Sequence, residues 1–166
     1  MTSPLAIALA EQVHTLIQDA PSDRQITQGV LTIAPLLAQV AQTRVRLPFY
    51  YVLQTDAGEL LKTTLIHRTQ SAVEKTVILV FSSLEDASEE KDRQSESHFS
   101  PVRMPVLDLL FQFWTLNWCD ALVFFDEPGN RSQGQEINHR QLSQWLKSKI
   151  APKPTRSGGQ GFRKTC

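Results

Sequence analysis

Apolar residues recur along this chain at two different periods, and the change of period divides it into segments. Ser3-Pro4 offers a helix cap followed by a proline at the first helical position, and Leu5, Leu9, Val13, Leu16, Ile17 and Ala20 follow at helical spacing up to Pro21. Ser22-Asp23 opens a second helical stripe over Ile26, Val30, Ile33, Leu37 and Val40. Pro35 sits inside that stripe, which predicts a kink or break near Ala34, because proline lacks a donor and crowds the preceding turn. From Leu47 the pattern becomes strand-like. Phe49–Leu53 is aromatic and β-branched, Asp56–Glu59 reads as a turn, and Leu60–His67 alternates, so a β-hairpin is predicted, with its second strand at an edge.

Thr76–Phe81 is a continuous apolar run of the kind buried on both faces of a sheet. Ser82-Ser83 can cap a helix, and Glu85 and Asp86 suit the positive end of its dipole. That helix is predicted to be short, because Glu89–Ser100 is polar and serine-rich and reads as a loop. A short strand over Val102–Met104 comes next. A helix from Pro105 then carries Val106, Leu109, Leu110, Phe113 and Trp114. Ala121–Phe125 is another buried-type strand, closed by the turn Asp126–Asn130. Asn138 can cap a last helix bearing Leu142, Trp145, Leu146 and Ile150, ended by Pro152 and Pro154. The expected fold is α+β: a small mixed or antiparallel sheet with helices packed on one face and an N-terminal helical pair. The expected division is residues 1–46 as the helical segment, 47–150 as the core domain and 151–166 as a disordered basic tail.

Composition supports a folded chain and separates its charges. Of the 166 residues 41% are apolar and 20% charged, which is ordinary for a globular protein and argues against wholesale disorder. The formal charge is zero, yet residues 131–166 hold eight cations against Glu136 alone. A basic end on an acidic body predicts self-contact or attraction to acidic partners. The longest apolar runs fall well short of a membrane span, and the mildly apolar N-terminus lacks the basic start of a signal peptide. Cys119 and Cys166 are too far apart to read as a metal-ligand pair, so a reducing, cytoplasmic setting is expected.

Catalytic signatures are sparse. His14, His67, His98 and His139 stand alone, without the i, i+3 or i, i+4 partner of a helical metal site, and neither metal nor cofactor is expected. Cys119, before an apolar strand, reads as core. Asp126 and Glu127 could pair for acid–base work, but the following Pro-Gly-Asn favours a plain turn. The Gly158–Gly161 stretch has no strand before it and no helix after it, so it does not read as a phosphate loop. Contact residues are the better candidates. Phe111, Phe113, Trp114 and Trp118 are too many aromatics for one helix face to bury, so either the helix is central or some of them are exposed as a contact surface. Glu89, Glu90 and Asp92 in the acidic loop could meet a basic partner.

Four stretches together resemble the N-terminal domain of the SseB family: Asp56-Ala57-Gly58-Glu59, Phe81-Ser82-Ser83-Leu84-Glu85, Asp108-Leu109-Leu110 and Asp126-Glu127-Pro128-Gly129. The resemblance spans residues 49–130 and implies a regulatory or protein-interaction role without catalysis. The expected function is a non-enzymatic adaptor, regulator or assembly factor that binds a protein partner. The alternatives are a nucleic-acid-associated protein using the basic C-terminal region and a small hydrolase or transferase using Asp126, Glu127 or His67.

Overall fold

The computed structural model describes residues 3–20, 23–66, 74–94, 98–130 and 134–150. The predicted basic tail 151–166, His67 and Cys166 lie outside the described residues. Along the chain run α1 (Pro4–Gln18), α2 (Arg24–Arg44), β1 (Phe49–Gln54), β2 (Thr63–Ile66), β3 (Glu74–Phe81), α3 (Leu84–Gln94), β4 (Ser100–Pro105), α4 (Val106–Thr115), β5 (Ala121–Phe125), β6 (Gln135–Asn138) and α5 (His139–Ile150).

The sheet is mixed, with the order β4-β1-β3-β5-β6, and β2 pairs with β3 off that path. β3 and β5 run parallel at its centre, with Val77 opposite Ala121 and Phe81 opposite Phe125. Their continuous apolar sequence fits that place, because both faces of the sheet are covered there. On one face, Tyr50, Val52, Ile78, Val80, Leu122 and Phe124 pack under α1, α2, α4 and α5. On the other, Val77, Phe81, Ala121, Val123 and Phe125 pack with Ala87 of α3. Helices therefore cover both faces of an α+β sheet and not the single face expected, because the apolar second face of β3 and β5 needs the cover that α3 supplies. The N-terminal pair shares the main core, since Leu9, Ile33, Leu37 and Ala41 belong to the same apolar cluster as the sheet residues.

Local chemistry explains the helix starts. Ser3 Oγ accepts from the N–H of Ala6 at 3.1 Å. Ser83 Oγ accepts from Asp86 N–H at 3.2 Å, and Asn138 Oδ1 from Gln141 N–H at 3.1 Å. Gln12 is a tertiary counterpart of these caps. Only 7% exposed, it donates from Nε2 to Pro48 C=O at 2.7 Å and accepts from Leu107 N–H at 3.0 Å. It thereby joins α1 to the start of α4.

Three further sequence-based expectations are corrected. Of the kink or break expected near Ala34, the break does not occur, since α2 runs on through Pro35 to Arg44. Burial of Ile33, Ala34, Leu37 and Ala41 on both sides of the proline outweighs the lost backbone bond. The hairpin over 49–67 is replaced by longer-range pairing. β1 pairs with β4 along its whole length and meets β3 at Tyr51–Phe81, while its link to the chain before β2 is confined to the turn: the Gln54–Leu60 bridge, Leu61 N–H to Leu53 C=O at 3.0 Å and Thr55 N–H to Glu59 C=O at 2.9 Å. A strand as apolar as Phe49–Leu53 gains more from an interior position than from a two-stranded ribbon. Finally, the loop predicted from Glu89 is helical to Gln94. Its residues are good helix formers, and Arg93 reaches Glu89 at 3.7 Å and Glu90 at 3.5 Å.

Candidate functional site

The residues singled out in the sequence do not form one surface. Glu89 and Asp92 are exposed on α3. Glu90 is 2% exposed and accepts from Gln94 Nε2 at 2.5 Å, so it is a buried carboxylate of the α3 face and not part of an open acidic loop. The aromatics lie on the opposite face of the sheet. Phe113 is fully buried, edge-on to His139 at 5.1 Å, and is unavailable to a partner. Phe111, Trp114 and Trp118 are half-buried against the main core, and Lys62 covers the Trp118 ring at 4.9 Å. Of the two alternatives, the central helix is the one seen: α4 touches α1, α2 and α5, which gives its aromatics more than one face to pack on.

The alternative catalytic groups are occupied structurally. Asp126 accepts a 2.5 Å bond from the Tyr50 hydroxyl, which also accepts from the N–H groups of Arg46 and Leu47. Burial first, and then the bond to Asp126, hold the Tyr50 phenol well above its ordinary range. Glu127 is exposed in the turn, where Gly129 takes a positive φ of 79° and donates its N–H to Asp86 at 2.9 Å. Cys119 is buried, its thiol donates to Ala121 C=O at 3.3 Å, and burial pushes its pKa up to about 11, so it is held as an unreactive thiol. Nε2–H of His139 donates to Trp114 C=O at 3.0 Å, which pins α5 to α4. Among the described residues no three His, Cys, Asp or Glu side chains converge as metal ligands.

The best-formed concavity lies between α2, β6 and α5, with a volume of about 380 Å³. Its floor is apolar: Val40, Ile137, Leu142 and the half-buried Trp145. Its rim is polar and uncharged apart from Arg44, with Gln39, Thr43, Asn138 and Gln141 around it. The helical period places Val40 and Arg44 on one side of α2, and Gln141, Leu142 and Trp145 on one side of α5. The charge at the groove is cationic and comes from two residues, Arg44 on the rim and Lys149 beside Trp145. Glu136, the acidic residue of β6, is bound to Lys75 at 2.7 Å, on the sheet. Lys149 lies 5.6 Å from the centre of the Trp145 ring.

Lining groups of this kind hold an apolar side chain and hydrogen-bond a backbone. They offer no nucleophile beside a base. Sequence reasoning placed Trp145 and Leu142 on a helix but missed the groove, because Gln135–Asn138 contains one apolar residue and gives no strand signal. The legible clue was the lack of any acidic residue in either flanking helix. No protein-family model matches the chain, and none of the curated proteins aligns with it significantly.

Proposed function

We propose that this protein is a non-enzymatic interaction module, an adaptor or assembly factor, and that the groove between α2, β6 and α5 receives an acidic partner segment bearing an apolar anchor residue. One observation carries the reading: an apolar floor of Val40, Ile137, Leu142 and Trp145 with Arg44 on its rim and Lys149 5.6 Å from the centre of the Trp145 ring. Apolar burial supplies affinity there, and complementary charge supplies steering and selectivity. The resemblance of residues 49–130 to the SseB family supports the same role.

A nucleic-acid ligand fits less well. Described α5 offers three cations, Arg140, Lys147 and Lys149, whereas single-strand binding relies on a longer basic track and open aromatic platforms. Trp145 is half-buried, with Lys149 already beside its ring.

Calorimetry with three probes tests the reading: a peptide of alternating glutamate and leucine, the same peptide with lysine for glutamate, and an oligothymidylate. The acidic peptide is expected to bind best. The paired rim changes Thr43→Glu and Gln141→Glu, at exposed positions, are expected to weaken it about tenfold, since each new carboxylate opposes the ligand's charge. Tighter binding of the lysine peptide or the oligonucleotide refutes the proposal, as does an affinity indifferent to the rim changes.

A further inference from the structure

The two ends of the sheet path are protected differently. β4 closes one end, and its residues Pro101 and Pro105 stand opposite Leu53 and Phe49 of β1. Proline has no N–H for the ladder, so those positions must present their backbone away from β1, along the outer edge. Another strand approaching β4 therefore meets missing donors, a permanent block to pairing.

β6 closes the other end and contains no proline. Within a strand the N–H and C=O of one residue point to the same side, and those of the next residue point to the other. Glu136 C=O accepts from Arg44 Nη2 at 2.5 Å, so the Glu136 backbone faces away from β5, and Gly134 and Asn138 share that direction. The guanidinium of Arg44 thus occupies a position that an N–H of a neighbouring strand would take. Arg44 also lines the groove, whose floor includes Ile137 of the same strand. The apolar pocket and this strand edge, unextended among the described residues, are therefore adjacent.

We infer that the partner segment docks as an added β-strand along β6, with Arg44 as a removable cover for the edge. This rests on the groove being the docking site, and it specifies how the site is used. The segment is extended, its main chain replaces the Arg44 bond to Glu136, and an anchor side chain enters over Ile137, Leu142 and Trp145. Once displaced, the guanidinium is free to meet an acidic side chain of the incoming strand. Strand addition suits a site whose own strand is only four residues long, because the side-chain anchor supplements a short ladder.

Backbone N-methylation of the glutamate–leucine peptide, one position at a time, tests this directly in the full chain. Methylation at alternate amides is expected to weaken binding about tenfold, with the intervening amides indifferent, and bound peptide is expected to slow hydrogen exchange at Glu136 N–H. A second arm uses an uncharged peptide of alternating threonine and valine with the Arg44→Ala chain. Removing the cover is expected to raise its affinity about fivefold, as one bond no longer has to be broken. If the acidic peptide binds the groove but the methylation pattern is flat, strand addition is refuted while the docking reading stands. An uncharged peptide that binds the Arg44→Ala chain no better than the natural one, or not at all, also overturns it. If the acidic peptide fails to bind, both readings fall together.

Discussion

Replacing Gln12 with methionine removes one tertiary link and almost nothing else. The side chains are similar in length, and the position is 7% exposed, so packing between α1 and α4 is kept. The two hydrogen bonds are lost. Pro48 C=O remains bonded to Val106 N–H at 2.9 Å, so the carbonyl is not orphaned. Leu107 N–H belongs to the first turn of α4, where no intrahelical acceptor exists, and it is left buried without its partner. An unsatisfied buried N–H costs about 1–3 kcal/mol. Gln12→Ala adds the loss of buried side-chain contact, at about 0.8 kcal/mol per methylene, partly offset by regained side-chain entropy and better helix propensity. The expected order of stability is wild type, then Met, then Ala. For a chain of this size about 1 kcal/mol shifts Tm by about 2–4 °C, so the Met variant should melt about 2–12 °C lower. Thermal unfolding followed by circular dichroism gives the shift, and hydrogen exchange at Leu107 locates it. A Met variant that melts within a degree of wild type, with Leu107 still protected, would falsify the claim that Gln12 pins α1 to α4.

Tyr50→Phe removes one hydroxyl that serves Asp126, Arg46 and Leu47 together. A loss of about 2–3 kcal/mol in denaturant unfolding is expected, since one partner is a carboxylate, and an unchanged midpoint would show that solvent replaces the bonds. Asp108 responds to pH. Burial, and then the Asp19 carboxylate, raise its pKa despite its place in the first turn of α4, where the helix dipole acts the other way. The folded state therefore holds this proton more tightly than the unfolded chain, and ionised Asp108 costs stability as pH rises from the usual carboxylate range through the raised value. Asp108→Asn should melt above wild type at pH 7, and the gap should close toward pH 3. A gap that is independent of pH, or that widens in acid, contradicts that assignment.

Much of the fold was legible because the relevant signals are local. Ser3-Pro4, Ser83 and Asn138 mark helix starts by side-chain bonds spanning three residues, and all three form. The runs at Thr76–Phe81 and Ala121–Phe125 read as buried strands because only a sheet covered on both faces accommodates them. The candidate site was much less legible. Aromatic density drew attention to Phe113, yet whether an aromatic is core or surface depends on how many neighbours its helix has. Acidic density suggested a loop at Glu89–Asp92, yet ion pairs one turn apart continue the helix and Glu90 turns inward.

The sequence by itself determined most kinds of element, β6 and the second half of α3 excepted, together with the caps of α1, α3 and α5 and the cationic excess of the C-terminal region, since each depends on residues close in the chain. Tertiary structure decided which strands meet, and with them the site. β1 joins β4 and β3 because its aromatic faces need cover from distant helices. β6, nearly silent as sequence, becomes a strand because Leu122 lies opposite Ile137. Arg44 and Glu136, far apart along the chain, meet only when α2 and β6 pack on the same core. Pairings of that separation depend on the burial of the whole core, which no local pattern records.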